Sequence, residues 1–288
     1  MDISVEPAAQ GGRGEPLVLL HDLGLSWHSW GRCVEGLTRA YAVWAPTLPG
    51  HWGGPAFEGA AAPSTMTDAV ERMLDDAGLA RAHLVGNGFG AWVAAELARR
   101  GRAGSVTLVA PLGLWHDAPS VAESITHELA RRHAVSPFLA LVRNPVAGAM
   151  TRRAALRSLT GRSAPALLDL CPTTRSRALI TTVAPTHCTV TRAILRSPEF
   201  AEGWRPEAGP SPVTTVVTGG QDRLMHRSAR ELFPDPHIRA YHRLEHGRVP
   251  MLDDPDPIIR YIDAGAAAAP WLPGPSGGPK RTVRRTAR

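Results

Sequence analysis

Short apolar runs bounded by turn-forming residues recur along the chain, and their length is typical of buried strands in a parallel sheet. The runs are residues 16–20 (PLVLL), 41–45 (YAVWA), 82–85 (AHLV), 105–110 (SVTLVA) and 213–218 (VTTVVT). Helical patterns lie between them, the clearest over residues 67–77, and Gly78 can end that helix. Its apolar face is formed by Val70, Met73, Leu74 and Ala77. Alternating strands and helices predict an α/β fold with a mostly parallel, doubly wound sheet.

The pattern changes between residues 116 and 200, where strand signals stop and helix signals replace them. Ser120 with Glu123 matches a capping box, and Ser136-Pro137 matches a cap followed by a first-turn proline. We therefore expect a helical insertion over residues 116–200. It would divide a core made of residues 1–115 and 201–267. Residues 268–288 are rich in Pro, Gly and Arg and are predicted to be a disordered basic tail.

Charge and cysteine content exclude several classes of function. The net charge is +6, but five basic residues and no acid lie in residues 268–288, which leaves +1 for the rest. We therefore expect no nucleic-acid partner. Cys33, Cys171 and Cys188 are odd in number and widely spaced, which fits neither a disulfide framework nor a zinc site. Without an apolar leader or a run of membrane-spanning length, the chain is predicted to be cytoplasmic, with no membrane span.

A strand-to-helix turn with unusual chemistry lies at residues 82–90, AHLVGNGFG. Gly86 and Gly90 match the spacers of the G-x-S-x-G nucleophile elbow, in which nothing larger fits between strand and helix. Gly88 stands at the position of the serine. The pattern indicates the elbow without its nucleophile.

From Pro16 to about Ala264 the chain resembles the α/β-hydrolase superfamily, especially its bacterial branch with a helical cap. The segments that carry the resemblance, in chain order, are LLHDLGLSWHSW, APTLPGHWGG, the elbow, VAPLGLW, VTGGQDRLM and HGRVPMLDDP. The resemblance implies an α/β-hydrolase fold with a helical cap insertion over a mostly apolar pocket. It also implies a Ser-His-acid triad and an oxyanion hole of backbone amides.

Only one residue of the implied site matches the family pattern. Asp222 stands at the position of the acid, whereas Gly88 lacks the nucleophile and Arg248 stands where the histidine is expected. A guanidinium cannot accept a proton near neutral pH. Asp22 replaces a glycine beside the oxyanion hole, where a carboxylate would oppose developing negative charge. We therefore expect no acyl transfer by the family mechanism.

Each departure allows alternatives. Gly88 can simply relieve backbone strain, or it can enlarge the floor of the pocket. Arg248 can form an ion pair with Asp222, or it can face the pocket and bind an enolate, carboxylate or carbonyl oxygen. His246, two residues earlier, could return an imidazole to the site through a loop shift. Asp22 could be a general base or cap the adjacent turn.

Two hypotheses of function follow. The first is a non-hydrolytic enzyme that uses no cofactor and performs lyase, cyclase or related proton-transfer chemistry, of a kind used in biosynthesis, on a hydrophobic small molecule. The second is a pseudoenzyme that binds a ligand or serves as a scaffold. The candidate catalytic residues are Asp22, Asp222, His246 and Arg248. The candidate substrate-binding residues are His21, Trp27, Asn87, Gly88, Phe89 and Trp115.

Overall fold

The computed structural model describes residues 7–51, 53–114, 184–204, 212–220, 222 and 238–269. Within these residues, the strands are β1 Ala8–Gly11, β2 Glu15–Leu20, β3 Tyr41–Pro46, β4 Ala82–Asn87, β5 Ala103–Val109, β6 Val213–Gly219 and β7 Ile238–Leu244. The helices are α1 Gly31–Leu37, α2 Pro63–Asp76, α3 Phe89–Arg99, α4 Ala184–Arg196, α5 Pro198–Glu202, α6 Pro250–Asp253 and α7 Pro255–Ala267, with a 3-10 helix at Trp27–Trp30 before α1.

The strands form one sheet in the order β1-β3-β2-β4-β5-β6-β7. Strand β1 pairs with β3 in the antiparallel direction, and all other neighbours are parallel. The predicted mostly parallel α/β sheet is therefore confirmed. Two strands were not predicted from the sequence. Strand β1 (AAQG) has no run of large apolar residues, and β7 (IRAYHRL) mixes apolar with basic residues at the end of the sheet.

Two hydrophobic cores cover the two faces of the sheet, because successive side chains of a strand point to opposite faces. Val18 and Leu20 of β2 pack in the core that contains residues of α2 and α3. Leu17 and Leu19 of the same strand pack in the core that contains residues of α1 and α7. This two-sided burial explains why the strand sequences are continuously apolar and do not alternate.

Helix α2 confirms the helical pattern over residues 67–77 but begins four residues earlier, at Pro63. Proline suits the first helical position because its missing N–H has no partner there in any helix. The first turn adds Met66, which is buried in the same core as Val70 and Leu74 and extends the helical spacing by one turn. Gly78 follows the helix with φ +71°, as expected for a residue that ends it.

Only the end of the predicted cap lies in the described residues. There, α4 and α5 are helical as expected, and the Ser197 hydroxyl accepts the Phe200 N–H at 3.2 Å as the cap of α5. Ser120, Glu123 and Ser136-Pro137 lie outside the described residues, as do residues 270–288 of the predicted tail. Among the described residues, every helix is too short or too polar to cross a bilayer.

Candidate functional site

The turn between β4 and α3 has the geometry of an elbow. Gly88 adopts φ +56° and ψ −116°, a conformation that favours glycine. A Cβ at Gly86 would collide with the backbone of Gly90, and a Cβ at Gly90 would collide with the backbone of Leu20 and His21. The expectation that nothing larger than glycine fits at the two spacer positions is thus confirmed.

The carboxylate of Asp22 fills the space beside Gly88. Asp22 follows the end of β2, and parallel β2 and β4 are neighbours, so their carboxyl ends meet at one edge of the sheet. A Cβ built on Gly88 would lie within the Asp22 carboxylate group. The hypothesis that Gly88 enlarges the pocket floor is therefore wrong, because the volume is taken by a side chain from the adjacent strand.

Two backbone amides hold this carboxylate. Asp22 Oδ1 accepts the Leu23 N–H at 2.8 Å and the Phe89 N–H at 2.7 Å. Phe89 is the first residue of α3, so the carboxylate lies at the positive end of the helix dipole. The amide that follows the nucleophile position forms part of the oxyanion hole in the α/β-hydrolase pattern. In this chain that donor is already bound to an oxygen anion of the protein itself.

Arg248 joins the two carboxylates of the site. Its Nε donates to Asp22 Oδ2 at 2.7 Å, and its Nη1 lies 3.7 Å from Asp222 Oδ2. The expected ion pair between Arg248 and Asp222 is present, but the hydrogen-bonded partner is Asp22, which the sequence did not suggest. Burial lowers the pKa of Arg248, yet the charges of Asp22 and Asp222 outweigh burial and raise it above its usual value. Arg248 is therefore a permanent cation and cannot serve as a base.

One edge of the Arg248 guanidinium is buried and, within the described part of the chain, carries donors without acceptors. Among the described residues, neither Nη1 nor Nη2 has a hydrogen-bond acceptor, although the side chain is only 8% exposed. Buried donors without acceptors are uncommon in folded proteins, and they carry a free-energy cost. The edge is thus a candidate site for an acceptor group of a ligand.

The amide NH₂ of Asn87 binds backbone carbonyls of the protein. Its Nδ2 donates to the carbonyl of Arg248 at 3.0 Å and to the carbonyl of Val109 at 3.1 Å. The side chain thereby ties the loop after β7 to the carboxyl ends of β4 and β5. The sequence suggested substrate binding for Asn87, whereas its contacts in the structure position Arg248.

The alternative base, His246, lies in the same loop and is half buried. Its Nδ1 has no hydrogen-bond partner among the described residues. The carbonyls of His246 and Gly247 pack against Gly219 at the end of β6, where a Cβ would collide with them. Arg248, and not His246, makes the ion-pair contact with Asp222.

His21 is part of the loop scaffold. Its Nε2 accepts the Leu48 N–H at 2.8 Å, so its Nδ1 carries the proton and donates to the Asp22 carbonyl at 2.8 Å. Burial lowers the pKa of His21 well below 6.5, and the neighbouring ring of His51 contributes in the same direction. Both nitrogens of His21 are thus used by the protein, which leaves only its ring face for substrate contact.

The predicted aromatic contacts divide between the two cores. Trp27 stacks on His28 with a centroid distance of 4.0 Å and packs in the core beside α1 and α7. Phe89 is fully buried in the opposite core, near Trp92 and Phe200. Both side chains therefore have a packing role, and a role in substrate binding stays a prediction. Trp115 lies outside the described residues.

A Ser-His-acid arrangement does occur in the fold, but near the opposite end of the sheet. His83 Nδ1 lies 2.8 Å from Ser105 Oγ, and His83 Nε2 lies 2.8 Å from Glu15 Oε2. Ser105 is 2% exposed, so its hydroxyl is closed to a substrate. These contacts join β2, β4 and β5, which gives the group a structural role.

Two stretches of the chain are similar in sequence to curated proteins. One stretch of 52 residues is 56% identical to the epoxide hydrolase EphH of Mycobacterium tuberculosis and covers 18% of this chain and 24% of that protein. Another, of 114 residues, is 37% identical to the dihydrolipoyllysine-residue acetyltransferase component of the acetoin cleaving system of Cupriavidus necator and covers 38% of this chain and 30% of that protein. The matches thus span less than a third of either curated relative.

Solved structures extend the likeness to nearly the whole chain. An epoxide hydrolase from Bacillus megaterium superposes with a TM-score of 0.67 at 15% identity and covers 90% of this chain and 96% of its own. An enol-lactonase from Burkholderia xenovorans gives 0.65 at 16% identity, with 90% and 95% covered. These structures share the fold. Because the sequence model of the alpha/beta hydrolase family matches residues 17–261, the protein belongs to that family.

Proposed function

We propose that the protein is a non-hydrolytic enzyme that performs proton-transfer chemistry, of lyase or cyclase type, on a hydrophobic small molecule. The observation that carries the proposal is the position of the Asp22 carboxylate, which takes the space of the missing elbow side chain and is hydrogen-bonded to Arg248. A group capable of proton exchange therefore stands where the family places its reacting atom. A cytoplasmic location and a biosynthetic role belong to the same proposal and stay predictions.

Hydrolysis fits this site poorly. Gly88 has no side chain to attack a substrate, and Arg248 cannot take a proton from water. The Phe89 amide donates to Asp22 and is not open to a developing oxyanion. The reactions in the names of the relatives, hydrolysis of an epoxide or a lactone, need an activated nucleophile, and the described residues do not place a base beside one.

Asp22 and Arg248 supply complementary parts of a proton transfer. The Asp22 carboxylate accepts three N–H groups, two at Oδ1 and one at Oδ2, which leaves acceptor capacity on Oδ2. In the proposed reaction Oδ2 takes a proton from a carbon next to a carbonyl, and the electron pair of the broken C–H bond moves onto the carbonyl oxygen. The Nη atoms of Arg248 then stabilise the resulting enolate.

The second candidate is a ligand-binding protein without turnover. It is favoured by the same three hydrogen bonds, because a carboxylate held by two amides and a guanidinium is also a good structural replacement for the lost catalytic groups. Both candidates predict that a small molecule binds above the elbow. Only the enzyme changes that molecule.

The experiment starts from the small molecule that co-purifies with the protein, identified by mass spectrometry. It is incubated with fresh protein in D₂O and followed by NMR for conversion or for exchange of carbon-bound protons. We expect Asp22→Asn to slow the reaction at least ~100-fold, the usual scale for a proton-transfer group. Asp76→Asn, the same change at an exposed position of α2, is the matched control and should react like wild type.

A bound molecule recovered without chemical change and without deuterium would reject the enzyme. It would leave the ligand-binding protein as the function. Equal rates for Asp22→Asn and wild type would instead reject Asp22 as the proton-exchanging group.

A further inference from the structure

We infer that the ligand carries a planar group with two acceptor oxygens, bound side by side by the Nη1–Nη2 edge of Arg248. The inference rests on the proposed function and specifies the ligand of that site. Arg248 uses only Nε for its hydrogen bond to Asp22. The two remaining nitrogens lie together on one edge of a planar guanidinium, and among the described residues no acceptor meets either of them.

The shape of this edge selects the ligand chemistry. Two parallel N–H groups on a guanidinium match two oxygens in one plane, as in a carboxylate or in the enolate of a 1,3-dicarbonyl compound. A lone ketone oxygen can satisfy only part of the edge and leaves a buried donor without an acceptor. The contact of Nη1 with Asp222, at 3.7 Å, is longer than a hydrogen bond and leaves the Nη1 hydrogens available for a ligand.

The orientation of the edge is fixed by the protein, which makes the match selective. Nε is held by Asp22, and the backbone of Arg248 is held through its carbonyl by Asn87. Asp22 is itself held by the Leu23 and Phe89 amides. A ligand therefore meets a guanidinium that is already in place, so little rotamer entropy is lost on binding.

The test uses three probes with the same naphthalene ring: 1-(2-naphthyl)butane-1,3-dione, 2-naphthoate and 2-acetylnaphthalene. The first two carry two oxygens in one plane, and the third carries one. Dissociation constants are measured by calorimetry on the full chain at pH 7.5. We expect at least one two-oxygen probe to bind at least tenfold more tightly than 2-acetylnaphthalene. The ratio between the dione and the naphthoate identifies which of the two chemistries the site prefers.

Arg248→Lys separates the shape of the group from its charge, because lysine keeps the positive charge and loses the planar edge. We expect this variant to bind the three probes within threefold of one another, whereas Asp76→Asn should keep the wild-type preference. A melting curve shows whether Arg248→Lys is folded. If Arg248→Lys is unfolded, the comparison of the three probes on wild type alone tests the inference.

Equal binding of all three probes to wild type would overturn the inference, and so would the absence of binding by every probe. A preference that survives in folded Arg248→Lys would overturn it too. These outcomes are measured without turnover. If the two-oxygen probes are preferred but no reaction occurs, the proposed enzyme is rejected and the inferred ligand group is kept. If a reaction occurs but no probe is preferred, the inferred ligand group is rejected and the proposed enzyme is kept.

Discussion

The carboxylate of Asp22 lies where a side chain on Gly88 would have to be, so the two residues form one structural unit. The residues are far apart in sequence but belong to loops that follow neighbouring parallel strands. Asp22 stands where the sequence resemblance predicts a glycine, and Gly88 stands where it predicts the nucleophile. The absence of a side chain at Gly88 leaves the space that the Asp22 carboxylate occupies.

We predict that Gly88→Ala destabilises the protein by at least roughly 2 kcal/mol, because the new Cβ displaces Asp22 from its donors and φ +56° disfavours alanine. In an Asp22→Gly background the same change should cost only the backbone strain, about 1 kcal/mol. Urea unfolding of the two single variants and the double variant gives this coupling. Additive effects would contradict the shared volume.

The charged network predicts an order of stability losses. Arg248→Met should cost about 3 to 5 kcal/mol, because it leaves two buried carboxylates without their shared cation. Asp22→Asn should cost more than Asp222→Asn, since Asp22 accepts the hydrogen bond at 2.7 Å and Asp222 lies 3.7 Å away. Equilibrium unfolding in urea measures all three variants. A larger loss for Asp222→Asn than for Asp22→Asn would show that Asp222, and not Asp22, is the main partner of Arg248.

Hydrolysis of activated esters should be absent and hard to restore. We expect wild type and Gly88→Ser to leave p-nitrophenyl acetate at its background rate and to remain unlabelled by a fluorophosphonate. Ser105 is buried, a serine at position 88 would collide with the Asp22 carboxylate, and the Phe89 amide is already bound to that carboxylate. The triple variant Asp22→Gly, Gly88→Ser, Arg248→His removes all three obstacles, since it frees the oxyanion amides and supplies nucleophile and base. It should gain measurable esterase activity.

The control for this restoration is the double variant Gly88→Ser, Arg248→His, which keeps Asp22 in the oxyanion hole. It should remain inactive even when a melting curve shows that it is folded. Saturable ester hydrolysis by wild type that disappears in Asp222→Asn would show instead that the chain retains a hydrolytic mechanism.

The sequence predicted those features that depend on the spacing of residues close together in the chain. Apolar runs located five strands, and two glycines separated by three residues located the elbow, because both depend on neighbours in the chain. The exchange between Asp22 and Gly88 could not be predicted in this way. It depends on how far the Asp22 side chain reaches across the edge of the sheet. The one available signal was that both positions differ from the family pattern at once, a larger residue at 22 and a smaller one at 88.

The roles of Asn87 and His21 were missed for a related reason. Each side chain binds backbone groups of a distant loop, Asn87 at Arg248 and His21 at Leu48, and backbone partners leave no residue-specific pattern in a sequence. Polar residues next to a predicted site were therefore interpreted as ligand contacts. In the structure, Asn87 and His21 hold the loops of that site in place.

Buried histidines predict that the protein loses stability in mild acid. Burial lowers the pKa of both His28 and His51 to about 4, and it lowers the pKa of His21 well below its ordinary value of 6.5. The unfolded chain therefore takes up protons between pH 6.5 and 4 that the folded protein does not. The contribution of these histidines to the free energy of unfolding is complete above pH 6.5 and is lost as the pH is lowered through this window, by roughly 3 kcal/mol for one histidine whose pKa moves to about 4.

His51→Asn isolates one of these groups. Asparagine can still donate to the Pro49 carbonyl, which His51 Nδ1 meets at 3.1 Å, but it does not titrate. We expect urea unfolding at pH 7.5, 6.0, 5.0 and 4.5 to show a pH slope near pH 5 that is about 1.4 kcal/mol per pH unit smaller in the variant than in wild type, the contribution of one proton. The variant can be less stable than wild type at pH 7.5 without affecting this comparison, because the slope and not the absolute stability reports the proton. Identical slopes would mean that His51 is protonated equally in the folded and unfolded states, and the buried neutral imidazole beside His21 would have to be abandoned.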